Sequence, residues 1–150
     1  MIKILGCILI LSASVCACVF YENTEKAKIN ATKEMIEFIR YIRSQIEYFL
    51  TPLNKIYSSY EHKSPITERL SKEGPEFTKD FLEKGDFAAI NELFGELGKG
   101  PKSEQLSLCS YTAEVLERSY EKKKTELPNK IKAFRAIALF CGFCAVILLI

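Results

Sequence analysis

The chain has 150 residues, room for one domain of ordinary size, and its formal net charge of +2 is too small for an extended nucleic-acid footprint. Its one histidine, His62, excludes a metal site built on paired histidines and any relay that needs two of them. Hydrophobic residues make up 48% of the sequence, and they gather at the two ends while charge fills the middle.

Residues 4–20 carry no charge and no proline, with Lys3 before them and Tyr21, Glu22 and Asn23 after. This is the pattern of a membrane-spanning helix. A cleaved leader is the alternative, because Val15-Cys16-Ala17-Cys18 resembles a loose lipoprotein-processing site, with a small residue before a cysteine. Two observations favour a retained anchor. The positive charge ahead of the run is only Lys3 and the amino group, and the cysteines recur without selecting one.

The middle of the chain reads as helices throughout. Within residues 29–50, Met35, Ile36, Ile39, Ile42, Ile46, Phe49 and Leu50 recur by threes and fours, while Phe38, Tyr41 and Tyr48 widen the apolar arc. Lys33, Glu37, Arg40, Ser44 and Glu47 share the opposite side, as on a central bundle helix. Thr51-Pro52 then predicts a corner, with Thr51 capping a new helix and proline in its first position. Ser64-Pro65 repeats that signal, Gly74-Pro75 marks another break, and Asp86 is placed to cap a helix running to Leu97.

Gly98-Lys99-Gly100-Pro101 is the clearest turn, after which Ser103 is expected to cap the last long helix. Leu106, Cys109, Ala113, Leu116 and Tyr120 form a packing seam along that helix, long enough for about two heptads of coiled coil. Pro128 predicts a kink or short break at Leu127. Residues 136–150 are again uncharged, and a span of 20 residues is reached by starting at Ile131, with Lys132 and Arg135 near enough to the boundary to snorkel. No alternating run suggests a sheet. The predicted fold is all-α: a membrane-anchored helical bundle with a transmembrane helix over 1–21, a helical domain over 22–130 and a second transmembrane helix over 131–150.

Basic residues set the orientation. Lys26, Lys28 and Lys33 follow the first span, and Arg118, Lys122, Lys123, Lys124, Lys130, Lys132 and Arg135 precede or open the second. Positive flanks stay inside, so the middle domain is placed in the cytoplasm. Cys7, Cys16, Cys18, Cys141 and Cys144 lie in the apolar runs, where small, weakly polar residues serve helix packing, and no disulfide framework is implied. Cys141-Gly-Phe-Cys144 has the spacing of a redox or zinc half-site, but no second pair or nearby histidine completes it.

The search for chemistry is negative. Gly98-Lys99-Gly100 lacks the length of a phosphate-binding loop, and Cys109 lies on an apolar seam where cysteine is core material. No catalytic, cofactor-binding or metal-binding residue is predicted, and no enzyme activity. A generic helical membrane tether, or a lipoprotein processed at Cys16 or Cys18 with its helical domain outside the cell, would also suit these features.

Several stretches in order resemble the stage III sporulation protein AB family. Lys3-Ile4-Leu5-Gly6-Cys7-Ile8-Leu9-Ile10 is similar to its lysine-led anchor. Gln45-Ile46-Glu47-Tyr48-Phe49-Leu50-Thr51-Pro52-Leu53 resembles its glutamate-tyrosine stretch before a threonine-proline-leucine corner. Phe94-Gly95-Glu96-Leu97-Gly98, then Ser103-Glu104-Gln105-Leu106, is similar to the leucine-glycine turn that opens its last helix. The stretch between Tyr60 and Phe94 is shorter than the family's and lacks its tryptophan. The resemblance implies a helical domain like that of the platform proteins of type II secretion and type IV pilus systems. It implies a structural role at the outer forespore membrane, facing the mother-cell cytoplasm. The partners implied are a secretion-type ATPase and other stage III sporulation membrane proteins, besides the lipid bilayer. Candidate partner-binding residues are Arg40, Glu47, Tyr48 and Glu117, with Thr51 and Pro52 as the structural corner. Self-association is left open.

Overall fold

The computed structural model describes residues 2–49, 56, 60, 69–70 and 74–149. Among them the chain is helical without strands. Helix α1 covers Ile2–Ser44 and passes into a π-helical segment, Gln45–Phe49. A 3-10 segment spans Gly74–Asp80, α2 spans Lys84–Glu96 and α3 spans Lys102–Leu149. The predicted corner at Thr51-Pro52, the break at Ser64-Pro65 and His62 lie outside the described residues. The chain forms two compact units, one of residues 28–122 and one of residues 1–27 with 123–150.

In the 28–122 unit, burial follows the apolar spacing. Met35, Phe38, Ile39 and Ile42 of α1, Ile90 and Leu93 of α2, and Cys109 and Leu116 of α3 are all at most 1% exposed. Ile56, Leu70 and Leu82 join the same core. The seam of α3 is thus covered within the chain, with Leu106 and Tyr120 packed at its margins. The Phe38 and Tyr60 rings meet edge-to-face at 5.1 Å, and Tyr41 lies 4.9 Å from Tyr60. Buried Thr32 and Thr112 satisfy their hydroxyls one turn back, on the carbonyls of Lys28 and Leu108 at 3.0 and 2.9 Å.

Three local expectations are corrected. Asp86 does not cap α2, which begins earlier, after extended Glu83. Its buried carboxylate instead accepts a 2.5 Å hydrogen bond from the Ser119 hydroxyl of α3. Nor does Ser103 cap α3. It lies inside the first turn, and the Pro101 carbonyl accepts from the amides of Glu104 and Gln105, both at 3.1 Å. Gly98 makes the preceding turn at a φ of 87°, a conformation that favours glycine, while Gln105 braces it by accepting from the Gly98 amide and donating to the Gly100 carbonyl. Finally, α3 runs through Pro128 without a break at Leu127. The proline removes one amide donor, but it is exposed, and a 2.9 Å ion pair between Glu126 and Lys130 spans it.

The other unit pairs the first part of α1 with the last part of α3. Glu22 meets Arg135, while Glu25 lies within electrostatic reach of Lys130, so the two stretches run antiparallel. Tyr21 and Phe134 stack with centroids 4.2 Å apart and ring planes 13° from parallel. Here the rule of burial is inverted. Ile8, Leu9, Val15, Val19 and Phe20 on α1, and Ile137, Phe140, Phe143 and Ile147 on α3, are more than half exposed. Gly142 is buried, and the partly covered positions include Gly6, Ser14, Cys18, Ala138 and Ala145. Ser12, Ser14 and Thr24 return their hydroxyls to carbonyls three or four residues back in α1. By length and composition α1, from Ile8 onward, is apolar enough to cross a membrane, and almost none of its most apolar stretch is buried.

Candidate partner-binding site

Two of the four candidate residues come together in the 28–122 unit. The Arg40 guanidinium on α1 donates to Glu117 Oε1 on α3, across 77 positions of sequence. Both side chains remain substantially exposed, at 62% and 40%. Such a pair contributes at most about 1 kcal/mol in water, because solvent screens it and both side chains lose freedom. Its consequence is local: it joins two helices already packed through the shared core and presents a charged rim.

That rim borders an open cleft of about 230 Å³, lined by Lys33, Ile36, Glu37, Arg40, Glu117, Tyr120 and Glu121. Lys33 and Glu37 form a 3.7 Å pair one turn before Arg40. The cleft therefore offers both signs of charge around Ile36 and Tyr120, a surface suited to a wet, electrostatically oriented protein contact. Periodicity assigned Ile36 and Tyr120 to packing alone; that they also face an opening depends on how α1 and α3 are rotated against each other.

Glu47 and Tyr48 lie elsewhere in the unit, on the π-helical segment. The Glu47 carbonyl accepts a 2.6 Å hydrogen bond from the Lys102 ammonium at the start of α3. A π turn closes on one more residue than an α turn, so residues beyond it lag behind the α register. Within this segment Tyr48 is 73% exposed, whereas Ile46 is buried. Neither the π turn nor the part played by Lys102 carries a sequence mark. Thr51 and Pro52 lie outside the described residues.

Cys109 is fully buried, and burial pushes its thiol up to about 11, with the Arg43 charge opposing only in part. At neutral pH it is a protonated core group rather than a nucleophile. Tyr60 is likewise pushed up, by burial first and then by the carboxylates of Glu37 and Glu34.

The expected family resemblance is met along the whole length. The family model for stage III sporulation protein AB matches residues 3–72 and 66–150. No curated protein and no solved structure matches the chain. The family match covers both the apolar ends and the helical middle, so the chain belongs to the stage III sporulation protein AB family.

Proposed function

We propose that the chain is a non-enzymatic platform component of a secretion-like channel complex between mother cell and forespore, needed for spore development. In this reading it crosses the outer forespore membrane twice, through 1–21 and 131–150. Its helical domain, 22–130, faces the mother-cell cytoplasm and docks a secretion-type ATPase beside other stage III sporulation membrane proteins. Family membership supports the sporulation role.

The observation that carries the membrane part is the inverted burial of the paired apolar stretches. Large side chains such as Phe20 and Phe140, 75% and 71% exposed, face outward, while Gly142 is buried and Gly6, Ser14, Ala138 and Ala145 are partly covered, beside Ile10 and Val146. Water would penalise that arrangement, whereas lipid tails accept large apolar groups and helices pack closely through small ones. The basic flanks orient the domain inward. For docking, the support is the mixed-charge cleft at Arg40 and Glu117.

Two experiments test this. A cysteine placed at exposed Lys84 should resist membrane-impermeant thiol reagents in intact cells and react after permeabilisation. Labelling beforehand would place the domain outside and favour the lipoprotein. Association of the full-length protein, in bilayers, with the ATPase should weaken as salt rises. Because Arg40 and Glu117 pair with each other, single reversals disturb both the fold and the rim. The double reversal, Arg40→Glu with Glu117→Arg, keeps the internal pair but redraws the rim. Loss of binding in the double reversal supports docking there; full binding relocates the contact, and no association at all sinks the ATPase platform in favour of a generic tether.

A further inference from the structure

The two-pass reading leaves a physical difficulty in α3. Opened at Ile131, the second crossing of that reading holds Arg135 four residues in, about 6 Å along the helix axis at 1.5 Å per residue. A full crossing therefore draws the Arg135 guanidinium to the edge of the apolar layer or into it. That charge cannot be shed by losing a proton, and its side chain is 56% exposed on the flank of the helix pair.

We propose that Glu22 is the positioning residue that lets the second apolar stretch cross the bilayer, by neutralising Arg135 from the neighbouring helix. The inference rests on the two-pass reading. Glu22 is well placed for the task. Its carboxylate accepts from the Arg135 guanidinium across 113 positions of sequence, and also from Lys26 at 2.7 Å. Those hydrogen bonds, Lys26's first and Arg135's second, hold its carboxyl below the usual range, so it stays charged. One residue away on each helix, the Tyr21–Phe134 stack fixes the rotation that brings Glu22 and Arg135 face to face. An aromatic stack beside an ion pair is also the chemistry of the membrane interface, where ring faces and charged heads share one level.

The two partners are not equivalent, which gives the proposal its test. Glu22 keeps Lys26 if Arg135 is removed. Among the described residues the ion partner of Arg135 is Glu22. Loss of Glu22 should therefore harm insertion, and loss of Arg135 should not.

The full chain would carry a reporter, fused after Ile150, that becomes active only outside the cytoplasm. Wild type should export the reporter, Glu22→Gln should lower exported activity severalfold, and Arg135→Gln should match wild type. The double variant Glu22→Gln with Arg135→Gln should recover it. A wild-type reporter left in the cytoplasm would overturn the two-pass reading itself. Export by Glu22→Gln equal to wild type would overturn the role of Glu22 while leaving two passes intact. A double variant as defective as Glu22→Gln would also overturn it, since Glu22 would then act by a route other than neutralising Arg135.

Discussion

Helices α1 and α3 each contribute to both compact units, and the packing rule differs between the units. In the 28–122 unit, large apolar side chains such as Phe38 and Leu116 are buried and charge lies outside. In the other, Phe20 and Phe140 are exposed while Gly142 is buried. Helical propensity is common to both, so it cannot account for the difference. In the two-pass reading proposed above, what differs is the solvent: water rewards burial of large apolar area, whereas lipid gives no such reward and leaves close helix packing as the main attraction.

The contrast is broken most forcefully by truncating one phenylalanine in each unit. Phe38→Ala should cost about 3–5 kcal/mol, through lost apolar transfer and the cavity left behind. In the two-pass reading the Phe140 side chain meets lipid before and after the helices associate, so Phe140→Ala should change stability little. Denaturation of both full-length variants in detergent or bilayer would check this, and equal losses would erase the distinction.

The next effect belongs to Cys109 and to alkaline pH. Its ordinary value is 9.0, and the folded protein holds the proton to about 11. The unfolded thiol thus loses its proton first, and the unfolded state gains from each rise in pH between those values. Stability from this group is full below pH 9 and declines toward pH 11, by roughly 2–3 kcal/mol. Melts of wild type and Cys109→Ala across that range should diverge in slope. Tyr60, shifted in the same direction, adds a decline that both proteins share.

A smaller effect sharpens the description of the pairing between the two apolar stretches. Gly142→Leu should destabilise it by about 1–3 kcal/mol, since a large side chain must enter a contact made by small ones. Cross-linking between cysteines placed on the two stretches would report the separation. Smallest of all, a double-mutant cycle on Arg40→Ala and Glu117→Ala should give about 0.2–1 kcal/mol. A much larger coupling would mark the pair as structural cement rather than as part of a contact surface.

Much of the fold was legible in the sequence, for a specific reason. The spacing of Met35, Ile39, Ile42 and Ile46, and of Cys109, Ala113 and Leu116, records a helix face directly, and those residues form the core. The apolar stretch of α1 was equally plain, and that helix is long and apolar enough to cross a membrane. The caps were less so: Asp86 and Ser103 have the right chemistry, but Asp86 found a better donor in Ser119, and Pro101 had already begun α3 before Ser103. Pro128 shows that a local breaker can be carried by a long helix. Arg40 and Glu117 were each visible as surface charges, yet their meeting depends on the rotation of two helices far apart in sequence, which no local pattern encodes. The π-helical segment that carries exposed Tyr48 has no compositional sign at all.

The distance in sequence between α1 and α3 also has a consequence for synthesis. The core that holds Met35, Phe38 and Ile42 of α1 draws its last members, Cys109, Ala113 and Leu116, from α3, and the Arg40–Glu117 contact spans 77 positions. At translation rates of roughly 5–20 residues per second, α1 waits about 4–15 s after its own emergence before its partner helix is made. During that interval its apolar face has no native cover from α3, so the nascent chain is exposed to aggregation and open to chaperone binding until the last third of the protein has been translated.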